Sequence, residues 1–153
     1  MKTKFPLIVA AFVALTSLAA CGGSDNSAPP VVLTYAGNPT ALTKTDTTVG
    51  TGTEAVAGKW VKVTYTGWLY NQPATNKKGT QFDTGTFPFK LGANEVIPGF
   101  DQGVTGMKVG GKRTVIIPSN LAYGAGGNGP MIPPNAGLVF DIELLQVSDT
   151  KIN

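Results

Sequence analysis

Between Lys59 and Val147 apolar and polar residues alternate, and one stretch breaks the rule. In Lys59–Tyr70, Val61, Val63 and Tyr65 fall on one face and Lys62, Thr64 and Thr66 on the other. That is the period of a half-buried strand. Leu138–Val147 repeats it, with Leu138, Phe140, Ile142 and Leu144 on one side and Asp141 and Glu143 on the other. Lys112–Pro118 predicts a further strand. Gln81–Asp83 and Phe87–Leu91 predict two shorter ones, separated by Thr84-Gly85-Thr86. The exception is the set Ile97, Phe100, Val104 and Met107, which recurs at helical spacing, with Pro98 suited to a first turn. Gly103 and Gly106 each cost such a helix on the order of 1 kcal/mol relative to Ala, so it forms only by packing an apolar face on the sheet. Gly110-Gly111 is expected to end the segment, and no internal repeat is visible. The prediction is an α+β fold: a curved antiparallel sheet of five to six strands wrapped around one short α-helix.

The 153 residues suit one domain with a core, plus a tail. Met1–Lys4 is short and basic, and Phe5–Ala20 is apolar and ends in small residues, so residues 1–20 read as a secretory signal. Leu18-Ala19-Ala20-Cys21 resembles a bacterial lipobox, in which the cysteine is lipidated and becomes the first mature residue. The alternative is an ordinary signal peptide with an incidental cysteine. By the same resemblance, Gly22 after the cysteine favours the outer membrane facing the periplasm, with the cell surface as the other location in a bacterial envelope. Several acyl chains would anchor the protein stably where a single one binds marginally. Residues 21–40 then form the lipidated cysteine and a flexible tether rich in Gly, Ser, Asn and Pro, and Val31-Val32-Leu33 is a candidate docking segment. The folded domain is expected to span residues 41–153.

Composition removes several chemistries. The formal charge falls from +3 to +1 once Lys2 and Lys4 leave with the leader, and no basic run is interleaved with aromatics. Nothing here points to nucleic acid. There is no histidine, which excludes Ser-His-Asp and Cys-His catalysis and the commonest zinc ligand. The single cysteine excludes an intrachain disulfide and a cysteine metal cluster, and no cofactor is expected. Gly124-Ala125-Gly126-Gly127-Asn128-Gly129 matches a dinucleotide fingerprint in letters only. Pro130, Pro133 and Pro134 follow it, where a phosphate-binding helix would have to start, so it reads as a flexible flap. Asp141 and Glu143 read as solvated carboxylates, Ser119 has no candidate base, and Lys77-Lys78 reads as a solvated loop.

What remains is apolar. Phe87-Pro88-Phe89, Glu95-Val96-Ile97-Pro98-Gly99-Phe100, Ala122-Tyr123-Gly124 and Ile132-Pro133-Pro134 supply aromatic and branched side chains, one phenol, and almost nothing for acid–base or nucleophilic work. A site built this way binds an apolar group and removes it from water.

Read in order, VTYTGWL at Val63–Leu69, QFDTG at Gln81–Gly85, FPFKLGANEVIPGFDQGV at Phe87–Val104, AYG…IPP at Ala122–Pro134 and LVFDIELL at Leu138–Leu145 closely resemble the FKBP-type peptidyl-prolyl cis-trans isomerases. The resemblance runs from about Leu42 to Val147. It implies that Tyr65, Phe87, Val96, Ile97, Phe100, Tyr123 and Phe140 line a proline pocket, bordered by Phe82, Asp83 and Ile132, with Phe100 as its floor. By the same resemblance the Ile97 N–H and the Tyr123 hydroxyl bond substrate carbonyls, and Asp83 orients the Tyr65 hydroxyl near the carbonyl of the twisting bond. Tyr65, Asp83 and Tyr123 are thus the implied catalytic set. Proline-containing polypeptides, and macrolides of the tacrolimus and rapamycin type, are the implied partners. A long helical dimerisation arm has no room, so a monomer is expected.

The chemistry needs no proton transfer. Twisting an X–Pro bond sacrifices amide resonance across a barrier of about 18–20 kcal/mol, so the uncatalysed exchange takes roughly tens to hundreds of seconds. A catalyst has only to favour the twisted amide over its planar forms. Two departures from the family pattern stand out. Phe100 replaces the commoner Trp, giving a smaller floor, and the stretch between Asp83 and Phe87 is shorter than usual while that between Leu69 and Phe82 is longer. The rival readings are a proline-binding chaperone module with little turnover and a structural surface lipoprotein that merely keeps the fold.

Overall fold

The computed structural model describes residues 32–153. The predicted leader, Cys21 and the first part of the predicted tether lie outside the described residues. Five strands, β1 (Thr43–Thr48), β2 (Trp60–Tyr70), β3 (Lys78–Lys90), β4 (Lys112–Ile117) and β5 (Leu138–Ser148), form one sheet in the order β1-β4-β5-β2-β3. Every pairing is antiparallel. Among the described residues a single α-helix, α1 (Pro98–Val104), lies between β3 and β4 in sequence and packs on β4.

The sheet differs from the expected strands in two places. β1 was not anticipated: its six residues, Thr-Lys-Thr-Asp-Thr-Thr, are all exposed and carry no apolar alternation. Pairing with β4, from Thr43 opposite Ile116 to Thr48 opposite Lys112, makes it a strand. The two short strands expected around Thr84-Gly85-Thr86 are one, since β3 runs through that segment without a break. Thr84 and Thr86 lie opposite Thr66 and Thr64, and the paired hydroxyls share hydrogen bonds of 3.1 and 2.7 Å across the ladder. Cross-strand bonding of this kind outweighs the turn preference of the intervening glycine.

The concave face carries the core. Val61, Val63 and Leu69 of β2, Val115 and Ile117 of β4, Leu138, Ile142 and Leu144 of β5, and Phe89 of β3 are almost wholly buried. Helix α1 adds Phe100 and Val104, and Met107 follows in the turn. The helix is shorter than its apolar spacing suggested, ending at Val104 rather than near Gly110. Gly106, at φ +82°, is the left-handed residue just past its end and not an interior defect. The glycines inside it have a packing reason. A Cβ on Gly99 would lie 2.2 Å from Ile117 Cγ2, and one on Gly103 would lie 2.9 Å from Val115 Cγ2. Any larger residue would lift the helix off β4 and carry Phe100 with it. Arg113, buried on β4, closes the other end: its guanidinium donates to the Gly103 and Thr105 carbonyls at 2.9 and 3.1 Å and to the Asp46 carboxylate at 2.7 and 3.1 Å. A cation among the last helical carbonyls satisfies acceptors the helix leaves open.

The described part of the predicted tether lies against the domain. The Thr34 N–H donates to Thr80 Oγ1 and its carbonyl accepts from the Thr80 N–H, and Ala36 bonds Tyr70 and Gln72. The expected boundary at residue 41 therefore falls later than the packing does.

Candidate active site

Strand alternation brings the aromatic residues to one end of the concave face. Tyr65 on β2 lies opposite Gly85 on β3 and Ile142 on β5, two residues along from Val63 opposite Phe87. Gly67 on β2 lies opposite Asp83 on one side and Phe140 on the other. Helix α1 closes the space from below with Phe100, whose ring meets those of Tyr65, Phe87, Phe89 and Phe140 at centroid distances of 5.8, 6.1, 5.9 and 5.1 Å. Most of these contacts are edge-to-face or tilted, the arrangement that aromatic quadrupoles favour.

The result is a cleft of about 190 Å³ lined by Tyr65, Phe82, Asp83, Phe87, Glu95, Val96, Ile97, Phe100, Tyr123 and Phe140. Phe100, 3% exposed, is its floor. Phe87, despite the short preceding segment, is fixed by its place on β3, where it stacks on Phe89 at 5.4 Å and meets Tyr65 edge-on at 5.4 Å.

Of the residues expected at the border, Phe82 and Asp83 line the cleft. Ile132 is 4% exposed and packs in the core cluster, its backbone paired with Asn128 across a tight turn, and it is not among the residues that line the cleft. Glu95, for which the family pattern implied no role, also lines the cleft. Its carboxylate accepts from the Lys90 N–H at 3.1 Å, closing the turn that presents Val96 and Ile97. Gly67 on β2 carries no site signal in the sequence. A Cβ there would lie 2.7 Å from Phe82 and 2.8 Å from Phe140, so only glycine leaves both rings where they are.

The polar groups of the cleft are few and placed. Tyr65 donates its hydroxyl to Asp83 Oδ2 at 2.5 Å, and Asp83 Oδ1 accepts from the Thr84 N–H at 2.9 Å. Burial, and then the Asp83 carboxylate beside it, push the Tyr65 phenol up to about 12. It therefore stays a donor throughout the physiological range. Among the described residues neither the Ile97 N–H nor the Tyr123 hydroxyl has a hydrogen-bond partner. Ile97 stands just ahead of α1, where its carbonyl accepts from Phe100 and Asp101 while its N–H is left for a ligand. No three His, Cys, Asp or Glu side chains come together among the described residues as a metal would require.

A larger cleft, about 250 Å³, runs over the opposite sheet face. Its lining of Thr64, Thr66, Lys112, Thr114, Asp141 and Glu143 is polar, and those groups are spent on one another: Thr114 donates to Asp141, Lys112 pairs with Glu143, and Lys78 reaches Asp141. Asp141 and Glu143 are paired carboxylates on this face, 63 residues along from Lys78 in the first case. Lys78 itself starts β3 and lies 4.2 Å over the Trp68 ring, so it is no loose loop residue. The concave cleft is thus the one suited to an apolar group.

Known proteins agree with this geometry. A protein of Neisseria meningitidis serogroup B called FK506-binding protein is 48% identical over 103 residues, which cover 64% of this chain and 88% of that protein. FK506-binding protein 1 of Gibberella zeae is 44% identical over 108 residues, covering 68% and 96%. Among solved structures, the peptidyl-prolyl cis-trans isomerase of Pseudomonas syringae pv. tomato superposes with a TM-score of 0.60 at 34% identity, covering 80% of this chain and 84% of that one. Residues 51–145 match the family described as FKBP-type peptidyl-prolyl cis-trans isomerase, and this chain belongs to it.

Proposed function

We propose that this chain accelerates rotation about X–Pro bonds of extracytoplasmic proteins, working as a monomer from a lipid anchor at Cys21 in the bacterial envelope. The observation that carries the catalytic reading is the aromatic cleft over Phe100, flanked by the unpartnered Ile97 N–H and Tyr123 hydroxyl. A pyrrolidine ring fits the apolar floor. The two free donors hold the flanking carbonyls while the intervening bond turns. Twisting moves charge off the carbonyl oxygen and makes the nitrogen amine-like. Removing the planar, more polar amide from water therefore favours the twisted form. Tyr65, held by Asp83, presents a fixed dipole at the wall beside this bond. The same cleft accounts for binding of macrolides of the tacrolimus type.

The test is cis/trans exchange on short X–Pro peptides, with and without such a macrolide. Acceleration by the purified protein, lowered but still measurable in Tyr123→Phe and inhibited by the macrolide, is the expected result. Binding of the peptide without acceleration would assign the cleft to a chaperone module instead. The leader and its lipobox-like end support the anchor. Palmitate labelling that disappears in Cys21→Ala is expected, and equal labelling of both proteins would refute it.

A further inference from the structure

The loop Pro118–Gly137, which joins β4 to β5, carries Tyr123 over the cleft. Its two feet are gripped by the segment that precedes β1. At the first foot Asn38 Nδ2 donates to Ser119 Oγ at 2.9 Å, and Asn38 Oδ1 accepts from the Ser119 N–H at 2.9 Å. Ser119 is buried, at 6% exposure, and among the described residues these two groups have no other partner. At the second foot Pro39 covers Gly137, where a Cβ would lie 2.3 Å from Pro39 Cδ. Upstream, the segment is held on the sheet edge. Thr34 accepts from the Thr80 N–H at 2.8 Å, Ala36 donates to the Tyr70 carbonyl at 3.0 Å, and a Cβ on Gly79 would strike the Thr34 carbonyl at 1.9 Å.

Little slack separates Ser119 from Tyr123. The Leu121 N–H bonds the Pro118 carbonyl and the Ala122 N–H bonds the Ser119 carbonyl, each at 3.0 Å. A shift at Ser119 therefore reaches Tyr123 through one closed turn. The family match begins at residue 51, so this grip is added by residues outside it.

We propose that Asn38 is a positioning residue: by fixing Ser119, with Pro39 pinning the far foot, it holds the Tyr123 hydroxyl at the cleft. The proposal rests on the isomerase reading for its kinetic consequence and on geometry alone for its structural one. In the whole chain, Asn38→Ala is expected to lower kcat/KM on an X–Pro peptide by about three- to tenfold. Asn38→Asp keeps an acceptor for both the N–H and the hydroxyl of Ser119 and is expected to recover activity to within about twofold of the original. Placed in a Tyr123→Phe background, Asn38→Ala should cost nothing further, whereas a general loosening of the fold would add its loss to the first. With fluorotyrosine incorporated, the Tyr123 fluorine resonance, identified by its absence in Tyr123→Phe, should shift or broaden in Asn38→Ala. Additive losses, or an unmoved Tyr123 resonance in folded Asn38→Ala protein, would overturn the proposal. Should the original chain fail to turn over any peptide, the isomerase reading falls and the fluorine resonance alone decides the role of Asn38. If Asn38→Ala does not fold, Ser119→Ala, which removes the hydroxyl bond and retains the backbone one, is expected to give a smaller loss that is again absent in the Tyr123→Phe background and to shift the Tyr123 resonance, and an unmoved resonance there would overturn the proposal.

Discussion

Replacing Gly67 by Ala should damage the cleft through one added carbon. Gly67 lies in mid-strand with no positive φ, so the substitution meets no backbone penalty and its effect is steric. The new Cβ would sit 2.7 and 3.0 Å from two atoms of the Phe82 ring and 2.8 Å from Phe140 Cε1. Side-chain carbons do not settle at such distances, so at least one ring must move. Phe140 is 5% exposed and braced against Phe100 at 5.1 Å and Tyr65 at 6.1 Å. Phe82 is only half-buried and meets Phe140 edge-on at 5.6 Å. Phe82 therefore yields first, and the edge-to-face pair at the cleft wall is broken. Overpacking of this kind costs about 1–3 kcal/mol. For a domain of this size that lowers the melting temperature by roughly 4–12 °C. Misplacing a wall by a fraction of an ångström should also lower kcat/KM about tenfold, because the catalytic gain rests on position. Gly85→Ala is the matched control: its Cβ would touch Tyr65 Cε1 at 3.5 Å, an ordinary contact with another residue of the same cleft. Thermal melts and peptide exchange assays on both variants decide the matter. If Gly67→Ala and Gly85→Ala melt alike and turn over alike, the steric reasoning is wrong.

The Tyr65 phenol gives a titration test. Its folded value of about 12 lies above the ordinary 10, so the stability tied to its neutral form is complete below about pH 10 and is lost as pH rises to about 12. Ultraviolet titration should show one tyrosine ionising late, and Asp83→Asn should bring it part of the way back while burial keeps it raised. Arg113→Leu removes the donor to two carbonyls and to Asp46, and should cost about 1–3 kcal/mol in a denaturant titration at pH 7. The Arg113 guanidinium holds the Asp46 carboxyl below its usual range, so that pair's share is present above about pH 4 and lost as pH falls further. The gap between the original protein and Arg113→Leu should therefore narrow in acid, and only slightly, because Asp46 is partly exposed and screened. Gly99→Ala should damage α1 more than Gly103→Ala, since its Cβ would enter Ile117 at 2.2 Å where that of Gly103 would lie 2.9 Å from Val115. Soluble, cooperatively melting Gly99→Ala protein with full activity would contradict the role given to that close approach.

The strands that bury one face were legible because burial writes itself as alternation: β2 and β5 read directly from Val61, Val63, Leu138, Phe140 and Leu144. β1 was not, because nothing in Thr43–Thr48 is buried and its strand character comes from the neighbour it bonds. The same limit applies to glycine. As a local signal Gly103 only weakens a helix, and Gly67 only interrupts a strand. That Val115 stands against the one and two phenyl rings against the other depends on register between segments far apart in sequence. In the cleft, the aromatic residues followed from motif order, whereas Ile132 packs in the core cluster and does not line the cleft, which depends on how the loop between β4 and β5 folds over the sheet. Asn38 left no trace in pattern at all, since one polar side chain in a stretch rich in Gly and Pro looks like any other.

These cases share a physical reason that bears on how the site works. The cleft has no strong acid–base group to arrange, so its chemistry lies in where rings and dipoles sit. Phe100 is held by four rings, Tyr65 by Asp83, and Tyr123 by a loop whose feet are fixed from outside the family segment. A reaction that only turns a bond gains from a rigid surround, because any motion of the walls with the substrate would follow both planar forms as readily as the twisted one. The glycines and the Asn38 grip, which touch no substrate, are on this argument as much a part of the catalyst as the rings that do.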